Sequence, residues 1–69
     1  METITIKDDH IKLGQALKLA GLAESGTDAK TMILEGLVSV NGVPSLQRGK
    51  KLCDGDIFEY GGTQVRVCR

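Results

Sequence analysis

Ile4 and Ile6 alternate with Thr3, Thr5 and Lys7, the period-two pattern of a half-buried strand, which predicts a strand over residues 3–7. Asp8, Asp9 and His10 interrupt that alternation with a polar break that offers oxygens for a helix cap. Leu13, Ala16, Leu17 and Ala20 then fall on one helical stripe that ends at Gly21, with Leu22 expected to fold back onto it. Only a few residues separate this helix from the next, so the two should pack as a close pair around a tight corner.

The stretch from Glu24 to Gly42 holds the strongest local signals. Ser25 is a helix cap, and Asp28 at the third helical position completes a capping-box-like pair while favouring the positive end of the helix dipole. Ala29, Met32 and Ile33 recur at the spacing of one apolar face, and Gly36 supplies the left-handed residue on which a helix stops. Val38, Ser39 and Val40 return to alternation, and Asn41-Gly42 predicts a two-residue hairpin turn with positive φ at both positions.

Past that turn the elements shorten. Val43 resumes a strand that Pro44 confines to an edge, because proline has no N–H for a ladder. Residues 46–52 read as a polar, basic connection around Gly49, and Asp54-Gly55-Asp56 reads as a turn. Strands are predicted over 57–60 and 63–68, joined by Gly61-Gly62, with Val65 and Val67 facing inward. Ile4 and Ile6 match Val65 and Val67 in chemistry, so the first and last strands should pair. The expected fold is α+β, with two packed helices against a small, mostly antiparallel sheet. Residues 1–69 form a single domain on this reading, with strands at 3–7 and 63–68 flanking a central motif over 11–60.

At 69 residues, such a domain buries only about 60% of the surface its unfolded chain exposes, which leaves little room for an enclosed active site. The charged, alternating opening predicts neither a signal nor a transit peptide, and no apolar run approaches the roughly 20 residues of a membrane span. A cytoplasmic protein with no membrane partner is expected. Nine cationic side chains balance nine acidic ones to a formal net charge of zero, which speaks against a polyanionic partner until their positions are considered. Residues 1–35 are mildly acidic. Residues 36–69 hold Arg48, Lys50, Lys51, Arg66 and Arg69 against Asp54, Asp56 and Glu59, so a local basic patch exists on a neutral chain.

Catalytic and metal chemistry find little support. His10 is the only histidine and lacks the partners of a triad or metal site, so a loop or cap role is expected. Cys53 and Cys68 read as small apolar residues of a reducing compartment, with a disulfide between them the minor alternative. Asp54 and Asp56 bracket a turn rather than a cleft. No catalytic residue, cofactor or metal is expected.

A family resemblance runs through the series Lys12-Leu13, Ala20-Gly21-Leu22, Glu24-Ser25-Gly26, Ala29-Lys30, Ile33, Glu35-Gly36, Val38, Val40-Asn41-Gly42, Arg48-Gly49, Lys50-Lys51-Leu52 and Gly55-Asp56. No single piece is specific, but the ordered set at these spacings resembles the αL RNA-binding domain named for small-subunit ribosomal protein S-four. It is most similar to stand-alone bacterial members with an extra strand at each end. The resemblance implies non-catalytic binding of structured RNA, ribosomal or transfer, by a monomer associated with the ribosomal particle in its assembly or maintenance. It also implies a surface built from Lys12, from Ser25, Gly26 and Lys30 at the start of the second helix, and from Arg48, Lys50 and Lys51 in the loop. Many members carry arginine directly after that serine, whereas the stand-alone members resemble this chain in having glycine.

The residues themselves are compatible with this. A helix start with free N–H groups is an anion site, and a glycine beside it admits a phosphate to the backbone. With one Phe and one Tyr there is no stacking platform, so recognition by shape and phosphate contacts is expected over base readout. Plainer roles stand beside these: Arg48, Lys50 and Lys51 as a solvated loop, Lys30 paired with Asp28 or Glu35, and Lys12 and Lys18 as simple helix surface. The alternative function is a protein–protein interaction module that keeps the same fold.

Overall fold

The computed structural model describes residues 1–69. Its elements, in chain order, are β1 (Glu2–Thr5), β2 (Ile11–Lys12), α1 (Leu13–Leu19), α2 (Gly26–Leu34), β3 (Val38–Val40), β4 (Val43–Pro44), β5 (Lys51–Leu52), β6 (Ile57–Tyr60) and β7 (Thr63–Cys68). Two helices pack against a five-stranded sheet of order β1-β7-β6-β3-β4, and β2 and β5 form a separate two-stranded ribbon. All pairings are antiparallel except β1 with β7, which run parallel with Ile4 opposite Val67. The first and last strands thus pair as expected, and the Ile6 amide extends the ladder by donating to the Cys68 carbonyl at 2.8 Å. The first strand is Glu2–Thr5 rather than 3–7.

Both helices stop for the same reason. Gly21 and Gly36 each have φ +77°. Behind them Leu22 donates to the Leu17 carbonyl and Leu37 to the Met32 carbonyl, at 3.0 and 3.2 Å. These six-to-one bonds are Schellman closures, which satisfy carbonyls that the helix end would otherwise leave open. Leu22 is thereby folded back against the core, as its position after Gly21 predicts.

The start of α2 follows its sequence signal, for the Asp28 amide donates to Ser25 Oγ at 3.1 Å. The start of α1 does not. Asp8, Asp9 and His10 cap nothing: Lys12 is the N-cap residue, and no side chain caps the helix. Its first amides are satisfied instead by loop carbonyls, Leu13 donating to Lys50 at 2.8 Å and Gly14 to Arg48 at 3.1 Å. A second correction follows from the same contact. Residues 46–52 are not wholly a connection, because Lys51–Leu52 is β5, held antiparallel to Ile11–Lys12. Leu52 is fully buried and supplies the apolar reason for that docking.

The Asn41-Gly42 turn has φ +51° and +83°, the mirror-image geometry that matches strand twist. β4 lies on the sheet edge, where Pro44 is tolerated. The core is one cluster joining Leu13, Ala16 and Leu17 of α1 and Ala29 and Ile33 of α2 to Val38, Phe58, Val65 and Val67 of the sheet. Phe58 is its largest fully buried side chain. No helix is long and apolar enough to cross a membrane.

Candidate nucleic-acid interface

The docking of the 45–50 loop onto α1 builds a groove. Because Gly14 and Leu13 donate to the loop backbone, the Arg48 side chain is carried across the first turn of α1. An atom at the Cβ position of Gly14 would stand 2.9 Å from Arg48 Cγ, closer than side-chain carbons pack, so glycine is what lets the arginine lie there. The resulting groove has a volume of about 300 Å³. Lys12, Lys18 and Arg48 supply its cations, and Gly14, Gly26 and Gly49 leave its backbone accessible. Gln15 adds a neutral amide.

Three of the residues expected from sequence therefore meet here: Lys12, Gly26 and Arg48. Ser25 stands next to Gly26 as the α2 cap. Beyond the Ser25 hydroxyl bond to Asp28, the amides of Gly26 and Thr27 have no partner within the chain and remain open to a ligand. A Cβ at position 26 would meet nothing within 4 Å. Gly26 is thus not demanded by protein packing, and its effect is to leave the groove wall bare.

Lys30, Lys50 and Lys51 are not among the residues that line this groove. Lys30 is exposed on α2, one turn beyond Gly26. Lys50 faces a different depression, beside Val43 and Leu46 at the β4 edge. Lys51 lies directly opposite Lys12 in the β2–β5 ribbon, a cross-strand pairing of like charges that is unfavourable on its own. The loop cluster of Arg48, Lys50 and Lys51 is therefore divided: Arg48 lines the groove, Lys51 adjoins it beside Lys12, and Lys50 faces the β4 edge.

Lys18, which the sequence leaves open between RNA contact and helix surface, lies in the groove, and Gly14, Gln15 and Gly49 join it without a site signal of their own in the sequence reading. A glycine inside the otherwise strong α1 pattern is the signal that would have pointed to it, since such a glycine in a helix usually answers a close approach.

The cations are not engaged elsewhere. The only ion pair in the molecule joins His10 Nδ1 to Asp9 Oδ1 at 2.8 Å, so Lys30 pairs with neither Asp28 nor Glu35. That hydrogen bond, with the attraction of the His10 charge, holds the Asp9 carboxyl below the usual carboxylate range. His10 itself is thereby turned to Asp9 as a loop residue. Cys53 and Cys68 are free thiols. Asp54 and Asp56 act as turn formers: Asp56 accepts from the Cys53 amide at 2.8 Å, and Asp54 accepts from the Arg69 amide at 3.1 Å.

Residues 4–68 match the family model described as the S4 domain. The chain is 46% identical over 59 residues to the Bacillus subtilis (strain 168) protein named "Probable ribosome maturation protein RlbA", covering 86% of this chain and 83% of that one. It is 38% identical over 61 residues to YbcJ of Escherichia coli (strain K12), covering 88% and 87%. The solution structure of E. coli YbcJ, described as revealing an αL motif involved in RNA-binding, is similar over 100% of this chain and 89% of that chain. Its TM-score is 0.76 at 36% identity.

Proposed function

The chain belongs to the S4-domain family, and from that premise we propose that it binds structured RNA without catalysing a reaction. Ribosomal RNA, met during assembly or maintenance of the ribosome, is the ligand class. The single observation that carries the reading is the groove between α1, α2 and the 45–50 loop. Three unpaired cations surround a glycine-lined backbone there. The relatives lend the same direction, one being named for ribosome maturation and the other carrying an αL motif involved in RNA-binding.

The mechanism follows from the chemistry of the groove. Lys12, Lys18 and Arg48 neutralise phosphates, and the open amides at Gly26 and Thr27 add donors at the positive end of the α2 dipole. Ser25 holds that helix end in place. Lys30 reaches the RNA from the flank of α2, Lys51 from the ribbon beside Lys12, and Lys50 from the outer side of the loop. Such contacts fix position on folded RNA and read its shape, with base identity playing little part. The Arg guanidinium can grip a phosphate with two parallel donors, which lysine cannot.

Residues 1–69 act on this reading as one binding unit, a monomer in the cytoplasm, with the motif over 11–60 at its centre. Crosslinking in cells followed by sequencing of the attached RNA tests class and ligand together. Enrichment of ribosomal RNA helices is the expected result, and recovery of no RNA above background would overturn it.

A further inference from the structure

The side of α2 that faces away from the basic groove has the opposite chemistry. At 3.6 residues per turn, Gly26 and Ala29 share one face of the helix, while Asp28, Met32 and Glu35 share another. This second face forms one wall of a groove of about 370 Å³. Its apolar lining comes from Leu22, Met32, Leu37 and Tyr60. Glu24, Asp28 and Glu35 supply its charge, with no lysine or arginine among the lining residues.

Those three carboxylates are unengaged within the molecule. None lies in an ion pair, and none accepts a hydrogen bond through its side-chain oxygens. Glu35 is the C-cap residue of α2, and the last turn carries no basic residue. A carboxylate at the negative end of a helix dipole is unfavourable, so the helix itself gives no reason for it. Beside it, Leu37 is 52% exposed. An apolar floor with an unpaired anionic rim repels RNA and suits a peptide whose apolar side chains are flanked by cations.

We propose that this groove docks a basic, leucine-bearing segment of a protein partner. The two sides of α2 then hold RNA and protein at once, with charge sorting the ligands. The basic side excludes the cationic peptide, and the acidic side excludes the nucleic acid.

The test is a titration of the ¹⁵N-labelled chain with a short peptide of alternating lysine and leucine, in parallel with its glutamate-for-lysine counterpart. The lysine peptide should shift the amides of Thr31, Glu35 and Leu37 and leave those of Gly14 and Gly49 in place, while the glutamate peptide shifts none of them. Replacing two of the three rim carboxylates, Glu24→Gln with Glu35→Gln, should weaken that binding by about five- to tenfold, the loss of two exposed ion pairs, without lowering the Tm. Shifts that fail to localise to this face, equal affinity for the double variant, or occupation of the face by a second copy of the chain would each overturn the proposal.

Discussion

Gly14 and Arg48 are built around one another. The Gly14 amide donates to the Arg48 carbonyl at 3.1 Å, and the arginine side chain passes where a Cβ on residue 14 would come within 2.9 Å of its Cγ. Gly14→Ala should leave the backbone bond in place and raise helix propensity by up to about 1 kcal/mol, offset in part by the crowding. The arginine must then swing out of the groove. We expect a Tm within a few degrees of the parent and an RNA affinity lower by roughly fivefold, about 1 kcal/mol for one displaced phosphate contact. Unchanged affinity with an intact fold would separate Arg48 from RNA binding.

Ser25 separates cap from contact. Ser25→Ala removes the acceptor of the Asp28 amide and should cost about 1 kcal/mol, seen as a Tm lower by about 4–8 °C. Ser25→Asp keeps a cap oxygen and so should keep the Tm, yet it sets a negative charge beside the open Gly26 amide and should weaken RNA binding. Parallel melting and binding measurements on the two variants check this, and parallel losses in both would assign Ser25 to folding alone.

How much of this arrangement the sequence disclosed depends on how local each signal is. The path from Ser25 to Gly42 was legible because every device in it, cap, stripe, αL stop and Asn-Gly turn, acts within a few residues. The β2–β5 ribbon was not. It pairs Ile11–Lys12 with Lys51–Leu52, and two-residue strands so far apart in sequence leave no periodicity to detect. The misread cap of α1 follows from the same gap. Asp8 and Asp9 have the right chemistry, but a distant loop supplies the carbonyls that the helix uses. The charge cluster of Arg48, Lys50 and Lys51 is visible as sequence, whereas its division between the groove, the ribbon beside Lys12 and the β4 edge follows from how the loop docks on α1 and β2. The part of Lys18 and Gln15 in the groove follows from the way α1 faces the loop, which no local pattern encodes.

Asn41 joins the hairpin to the next strand. Its Nδ2 donates to Asp56 Oδ1 at 3.1 Å, and its Oδ1 accepts from the Ile57 amide at 3.0 Å. It also sits at φ +51°. Asn41→Ala loses both bonds and strains the turn, for a cost of about 2 kcal/mol, while Asn41→Gly loses the bonds without the strain and should cost about 1 kcal/mol. Denaturant unfolding should therefore rank the parent above the glycine variant and the glycine variant above alanine. The reverse order of the two variants would contradict the account.

Asp9 gives a pH signature. Its carboxyl is held below the usual range by the hydrogen bond from His10 and by the charge of that histidine. A group depressed in the folded state stabilises the fold above its unfolded value, and that contribution is lost as pH falls through the folded value. In His10→Ala the Asp9 midpoint, followed by carboxyl ¹³C shifts, should rise toward the ordinary range, with little change in stability because the pair is exposed. A midpoint that does not move would remove His10 as the cause.

The central claim is that the groove bounded by Lys12, Lys18 and Arg48 holds RNA phosphates, and salt tests it most directly. With three phosphates neutralised in the groove and up to three more met by Lys30, Lys50 and Lys51 at its edges, the logarithm of affinity for a structured ribosomal RNA fragment should fall against the logarithm of salt with a slope between about −2 and −5. Lys12→Ala combined with Arg48→Ala should flatten that slope by nearly 2, whereas Lys50→Ala, outside the groove, should change it by less than 1. A parent slope near zero, or a slope undiminished in the Lys12 and Arg48 double variant, would contradict the account.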